Sequence, residues 1–523
     1  MADSTITFIV LGVIVVLFVT NRIPVAVIAI GTSLTLWATG VLDLDQAMAG
    51  FGDPTVLFIA ALFVVSEALD ATGVTTWVGQ QLIDRAGTGR TRIVVYLMIV
   101  CGLLTALITP NASVAALVPV IVIIAVRVGQ NTSQLLIPLA YAAHAGALLA
   151  LTGSPVSVIV SEAAEDAGIG QFGFFEFALT GIPLLIGTVA IVVVLGPKLL
   201  PHRDAERMPA DLSGLEATLT EQYRIDGQDF DSLFTRSFGA SEVIVPPRSP
   251  LIGQRVYPGM RTDSGELVVV AVRRDERRLD DPATRIAAGD TLLVRGTWQA
   301  LSRQIEADDD VVVVDPPDVV RRQVIPLGLG AKEAIVVLAV MIVMLATNAL
   351  PPAIAGLGAA CAIVLLRVIT VDQAYRAIGW TTVILVAGMI PLSTAMRVTG
   401  AADDLANALV DVVGDSGPYP LLIGVFLLSA LLGQLISNMA TALIMIPIAL
   451  SAAAELDVAA APVLMSLNVA CAAALLTPVA TPANLMVMEP GGYRFNDYWK
   501  LGSVVLVWYF IISVVLVPLI WNL

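Results

Sequence analysis

Apolar stretches occupy both ends of the chain, runs near bilayer length at Ile6–Thr20, 24–41, 55–70 and 178–197, longer ones at 93–127 and 133–166, and a second block from 326 onward. Residues 239–308 read differently. Val243-Ile244-Val245, Leu267-Val268-Val269-Val270-Ala271-Val272 and Thr291-Leu292-Leu293-Val294 are short strand-like runs separated by turn-rich pieces. The pattern predicts an all-α polytopic membrane protein with a small α+β domain inserted between two helical blocks, divided as 1–197, 198–325 and 326–523. Ile6–Thr20 has neither a basic lead nor a small-residue cleavage site, so it is expected to be a retained span.

Composition sharpens this picture. Of 523 residues, 57% are hydrophobic and 14% charged, and the mean hydropathy is +0.87, values that do not fit a wholly water-soluble chain. Residues 198–322 hold 17 of the 28 Lys and Arg and 22 of the 43 Asp and Glu, so charge is concentrated in the insert. A net charge of −15 argues against a nucleic-acid partner, which requires a basic face. Cys101, Cys361 and Cys471 all lie in apolar runs and are read as packing residues, with no disulfide framework or metal cluster available.

The two helical blocks match each other at an offset of 327. Thr20, Asn21 and Pro24 fall on Thr347, Asn348 and Pro351; Asp45-Gln46-Ala47 on Asp372-Gln373-Ala374; Thr72-Gly73 on Thr399-Gly400; Asn111 on Asn438; Pro155 on Pro482; and Glu162 on Glu489. Later the offset drops to 321, pairing Gly181 with Gly502 and Pro197 with Pro518. Matches in polar, Gly and Pro residues at one register indicate a tandem duplication.

Arg and Lys in short loops mark the cytoplasmic side. With Asp3 outside, Arg85, Arg90 and Arg92 come inside, and 93–127 begins and ends near arginine, as a re-entrant hairpin would. The first block then has five spans plus one hairpin, so the second runs inverted, both termini lie outside and the insert is cytoplasmic. Arg367, Arg376, Arg494 and Lys500 agree, as does the acidic stretch Asp403, Asp404, Asp411 and Asp415 outside, whereas Arg397 fits poorly. Inverted repeats with discontinuous helices are an architecture of secondary transporters, with the site where the breaks meet.

Four polar interruptions are paired by the repeat. The hairpin tips are Thr109-Pro110-Asn111-Ala112-Ser113 and Ser437-Asn438-Met439-Ala440-Thr441; the helix breaks are Gly153-Ser154-Pro155-Val156-Ser157 and Thr477-Pro478-Val479-Ala480-Thr481-Pro482-Ala483-Asn484. Proline forces unwinding, which frees carbonyls for a cation and leaves helix amino ends facing an anion. No Asp, Glu or Lys occurs in these breaks, which disfavours a proton antiporter. His144 pairs with Cys471 in the repeat and is read as a packing histidine rather than a proton or substrate group. Glu67, Glu162 and Glu489 lie near span ends, where they reach water by snorkelling.

Leu435-Ile436-Ser437-Asn438-Met439-Ala440-Thr441-Ala442 and Ala480-Thr481-Pro482-Ala483-Asn484, with the ending Met488-Glu489-Pro490-Gly491-Gly492-Tyr493-Arg494-Phe495, resemble motifs of the divalent anion:sodium symporters, a family of the ion-transporter superfamily. The resemblance implies Na+-coupled symport of a small anion by alternating access in the plasma (inner) membrane. It places Thr109, Asn111, Ser113, Ser437, Asn438, Thr441 and Thr481 around the substrate, and Asn111, Ser154, Ser157, Ser437, Asn438, Thr481 and Asn484 around sodium. Met439 stands where the motif has threonine, and the first break lacks a terminal Asn. These departures count against a dicarboxylate and leave open a smaller oxyanion such as sulfate. Aligning Pro119 with Pro447 shifts the hairpin register by one, leaving open whether Pro110 or Asn111 corresponds to Asn438.

In the insert, Glu242, Ser249-Pro250-Leu251-Ile252-Gly253 and Gly289-Asp290 with Leu293 and Gly296 resemble the RCK C-terminal (TrkA-C) module at about 239–308. Such modules pair and take small ligands, including cyclic dinucleotides, so the resemblance implies a homodimer with a regulatory ligand; a purely dimerising role stays open. An antiporter of the same superfamily and a ligand-gated conduit or sensor are the alternatives. No Thr-Val-Gly-Tyr-Gly filter points to a potassium channel, and no nucleophile-base-acid set or phosphate loop points to an enzyme.

Overall fold

The structure, a computed structural model, describes residues 3–522 apart from 21, 76, 79–80, 82–88, 204–214, 224–231, 236, 263–264, 275–276, 280, 282–283, 308–310, 316, 318–319, 321–326, 329 and 414–416. Asn21, Arg85 and Asp415 therefore lie outside the described residues. The chain forms two compact units, one of Met1–Asp70, Gln81–Met208 and Lys332–Leu523, the other of Ala71–Gln80 and Pro209–Ala331.

The first unit is helical. Its earlier part comprises Asp3–Thr20, Val25–Ala38, Pro54–Ala71, a helix pair Arg90–Leu107 and Pro110–Val128, a broken helix Leu136–Gly146 and Pro155–Asp166, and Ala178–Leu199. Its later part comprises Ala331–Ala346, Pro352–Leu365, Trp380–Val398, the pair Pro418–Leu435 and Asn438–Glu455, the broken helix Ala460–Ala472 and Pro482–Met488, and Tyr498–Ile511, continued through one π-helical turn to Ile520. Eight helices among the described residues are long and apolar enough to cross a membrane. Val25–Ala38 and Pro352–Leu365 start and stop 327 residues apart. The helices of the pairs instead start 328 apart, so Pro110 and Asn438 both occupy the first helical position, and Pro119 stands opposite Pro447. By their helix starts Pro110 stands opposite Asn438, the second of the two registers that the sequence left open.

Small residues bring the two parts together. Gly388 packs so closely that a Cβ there would lie 2.6 Å from the Ala29 backbone, and Ser33 donates to the Gly388 carbonyl at 3.0 Å. One helix was not legible in the sequence: Ala401–Val413, whose Ala402, Ala406 and Val410 are buried while Asp403 and Asp404 are exposed. Its four-residue apolar spacing is hidden by the acidic residues between, which read as a loop. The Gly491-Gly492-Tyr493 ending also acquires a reason. Buried Tyr493 donates to the Ser133 carbonyl at 2.5 Å and accepts from the Ile137 amide at 2.9 Å, capping the start of the first broken helix. Arg203 pairs with Asp497 at 2.8 Å beside it.

The second unit contains a five-stranded antiparallel sheet, β1 Phe238–Ile244, β2 Leu267–Arg274, β3 Arg277–Arg278, β4 Thr291–Thr297 and β5 Val312–Val313, ordered β3-β2-β4-β1-β5. Val243, Val269, Leu293 and Val294 from the strands join Tyr223 and Leu301 from flanking helices in one buried core. Fully buried Asp290 is neutralised by Arg274 through bonds of 2.6 and 2.8 Å and accepts the Ala287 amide at 2.8 Å. Tyr223 donates to Glu242 at 2.7 Å, and burial, reinforced by that carboxylate, pushes its ionisation well above the usual range. Residues 71–80 cluster with this unit; the Gly328 amide donates to the Thr72 carbonyl at 2.8 Å.

Candidate functional site

The four breaks are built by local rules. At each hairpin tip an extended residue, Ile108 or Ile436, ends one helix, and the next helix opens at Pro110 or Asn438. At each helix break an extended hydroxyl residue, Ser154 (φ −147, ψ 137) or Thr481 (φ −144, ψ 150), caps a helix whose first residue is proline. The equivalence extends to packing. A Cβ on Gly181 would lie 2.2 Å from the Leu148 carbonyl oxygen, and one on Gly502 2.3 Å from that of Leu475.

The residues expected to bind substrate or sodium divide by what their polar atoms touch. Ser113 is buried and committed to its own hairpin, 2.6 Å from Thr105 Oγ1 and donating to the Pro110 carbonyl at 3.1 Å. Asn111 is exposed and Thr109 half-buried at the helix start. Ser437 is exposed and caps its helix through the Ala440 amide at 3.2 Å. Ser154 caps through Val156 at 3.2 Å. Asn438 Oδ1 and Thr441 Oγ1, by contrast, are buried oxygens without a protein partner, as are Thr477 Oγ1 and Asn468 Oδ1. Buried polar atoms are normally paired; among the described residues Thr132, Thr188, Ser241, Ser429 and Tyr509 also carry an unpaired oxygen, so these four stand out by their place at one tip, one break and the helix packed beside them rather than by being unpaired.

The breaks of one part are held by side chains of the other. Asn468, on Ala460–Ala472, donates from Nδ2 to Ser157 Oγ at 3.3 Å. His144, on Leu136–Gly146, sets its Nε2 3.1 Å from Asn484 Oδ1 and 3.2 Å from Thr481 Oγ1. Asn484 further donates from Nδ2 to the Ala474 and Thr477 carbonyls at 2.9 and 3.0 Å, so both ends of its side chain are engaged. Gln434 closes the same break, donating to the Ala473 carbonyl at 3.0 Å and accepting the Leu476 amide at 3.0 Å. Tyr141 donates to the Leu475 carbonyl at 2.9 Å and Tyr498 to that of Asn484 at 2.7 Å. His144, Asn468 and Gln434 were not singled out as site residues from sequence, because each sits in a helical run rather than in a break; their lone polarity on buried faces was the available signal.

Along the same helices lies a pocket of about 90 Å³ lined by Asp53, Glu162, Asp166, Ser393 and Arg397 and floored by Ile159, Leu443 and Pro447. Arg397, at odds with the charge rule, thus lines a pocket together with three carboxylates. Glu162 and Ser157 share Pro155–Asp166, and Leu443 and Thr441 share Asn438–Glu455.

Comparison with known proteins bears on this geometry. The citrate transporter (CitMHS) family model matches residues 15–470 and 416–523. The uncharacterized transporter YfbS of Escherichia coli is 28% identical, with 98% of each chain covered. Sodium/sulfate cotransporter 1 of Chlamydomonas reinhardtii is 27% identical over 57% of this chain and 34% of its own length. The crystal structure of the Alcanivorax borkumensis YdaH transporter superposes with a TM-score of 0.50 at 13% identity, covering 93% of this chain and 89% of that one. That likeness concerns the fold.

Proposed function

The chain belongs to the CitMHS citrate transporter family, and from that premise we propose that it is a secondary active carrier moving a small oxyanion with sodium by alternating access. The observation that carries the reading is a set of buried, unpartnered oxygens: Asn468 Oδ1, on the side chain that bonds Ser157 of the first break and is placed to meet the cation, and Asn438 Oδ1 and Thr441 Oγ1 at the second hairpin tip, beside the anion. Neutral carboxamide and hydroxyl oxygens beside interrupted helices suit a monovalent hard cation, and helix amino ends suit an anion. The sodium and sulfate in the name of the Chlamydomonas relative favour this coupling and a sulfate-sized substrate.

In this reading the two parts of the helical unit are inverted repeats, the hairpins re-enter the membrane from opposite sides, and residues 1–197 and 326–523 flank a cytoplasmic domain. Thr109, Asn111, Ser437, Asn438, Thr441 and Thr481 surround the anion, and Ser113, bonded within its own hairpin, shapes the first tip. Ser154, Ser157 and Asn484 shape the breaks, Asn484 through the bonds described above. The insert is an RCK-C-like regulator that pairs two protomers and takes a small cytosolic ligand. The carrier lies in the inner membrane with both termini outside.

The test is uptake by the full-length protein in proteoliposomes offered labelled sulfate, succinate or citrate, with and without a sodium gradient. Sulfate concentrating above equilibrium only with sodium is the expected result. Mere equilibration of every anion under all conditions would make the protein a conduit and sink the carrier reading. Single cysteines near Asp411 and near Arg203 should label from opposite sides of the membrane, and same-sided labelling removes the inverted topology.

A further inference from the structure

His144 makes the two breaks chemically unequal. The Asn484 carboxamide has one possible orientation, because its nitrogen faces the Ala474 and Thr477 carbonyls at 2.9 and 3.0 Å and carbonyls only accept. Its oxygen therefore faces His144 Nε2 at 3.1 Å, and that nitrogen must carry a proton; a lone pair there would oppose a second acceptor. The same N–H points to Thr481 Oγ1 at 3.2 Å. A hydrogen-bond donor, rooted in the other part of the molecule and buried, thus stands between the two side-chain oxygens that a cation would need at the second break.

The first break lacks such a plug. Ser157, at the position equivalent to Asn484, receives its bond from Asn468, whose own Oδ1 is buried without a partner. A carboxamide can turn to present that oxygen to a cation. An imidazole N–H offers none, and the residue equivalent to His144 is Cys471.

Resting on the sodium-coupled reading above, we propose that His144 Nε2–H takes the place of a coupling cation at the second break, so that His144 is a positioning residue that sets cation stoichiometry and the carrier uses one sodium site where its pseudo-symmetry would provide two. The donor also holds Asn484, and through it the unwound backbone at Ala474 and Thr477, without a bound ion.

Two measurements test this. Equilibrium binding of labelled sodium to the purified full-length protein should saturate at a single site per protomer; saturation at two sites in the wild type overturns the proposal whatever any variant does. Sodium activation of uptake should have a Hill slope of about 1 in the wild type and rise toward about 2 in His144→Cys, while His144→Gln, which keeps a side-chain N–H, should retain the wild-type slope. Sodium should also raise the melting temperature of His144→Cys more than that of the wild type at equal concentration. An unchanged slope in a folded His144→Cys carrier that still depends on sodium overturns the role of His144 but leaves sodium coupling standing. Absence of sodium dependence in both proteins overturns both. A His144→Cys protein that does not fold leaves the binding stoichiometry of the wild type to decide.

Discussion

The two helix breaks share a backbone and differ in what holds them. Both are capped by an extended hydroxyl residue followed by proline, with φ within a few degrees, and both press a glycine of the last helix onto a freed carbonyl. Yet Ser157 receives one bond, from Asn468, whereas Asn484 engages His144 and two carbonyls and is joined at the same break by Gln434. Duplicated geometry therefore does not imply duplicated chemistry. Backbone geometry at both breaks is set by the same proline, glycine and cap chemistry, while the polar side chains that reach them from neighbouring helices differ.

The shared part of this comparison predicts the largest effect. Gly181→Ala and Gly502→Ala each place a Cβ 2.2–2.3 Å from a carbonyl oxygen that the break cannot move without losing its shape. Both variants should fail to yield a monodisperse protein on size-exclusion chromatography. Overpacking in a well-filled core costs about 1–3 kcal/mol, and contacts this short on backbone belong at or beyond the upper end. If one glycine tolerates alanine with an unchanged melting temperature and the other does not, even the backbone equivalence is broken.

The unshared part gives the next effect. Asn484→Ala removes the bonds to His144, Ala474 and Thr477 and strands two buried carbonyls. Losses of about 1 kcal/mol per bond sum to roughly 2–4 kcal/mol, visible as a clear drop in thermal stability. Asn438→Ala should behave oppositely. Its oxygen has no protein partner to lose, so stability should hold while uptake falls by about tenfold or more, as an interaction worth 1.4 kcal/mol or above requires. Equal stability losses in the two variants would show that an unpartnered oxygen is not what separates them.

Much of the fold could be read from the sequence because it depends on local signals. Apolar runs, Pro155 and Pro482, and the Ser154 and Thr481 caps locate helices and breaks, and β-branched alternation locates β1, β2 and β4. The hairpin register depended on where helices begin, which the two prolines Pro119 and Pro447 encode but a gapless match through Asn111 and Asn438 conceals. The sequence offered the candidate oxygens but not which of them the fold leaves free of protein partners. Asn438 and Asn484 look alike in the chain; only the packing of Leu136–Gly146 against Pro482–Met488 reveals that Asn484 is occupied. His144 read as packing because sequence spacing cannot show a bond across 340 residues.

The smallest predicted effect tests the weaker side of the comparison. Ser157 is buried and accepts a single bond of 3.3 Å from Asn468, so Ser157→Ala removes about 0.5–1 kcal/mol and leaves the Ser154 cap, the proline and the Gly181 contact in place. The melting temperature should fall only slightly, by far less than in Asn484→Ala measured in the same detergent. The variant leaves Asn468 with neither its oxygen nor its nitrogen paired, so its carboxamide becomes free to rotate. If Asn468 can turn its oxygen toward an ion, sodium should restore part of the lost stability in Ser157→Ala and none in Asn484→Ala, whose neighbouring donor His144 repels a cation. A Ser157→Ala loss as large as that of Asn484→Ala would mean that the first break is held as firmly as the second, and the difference drawn between them would disappear.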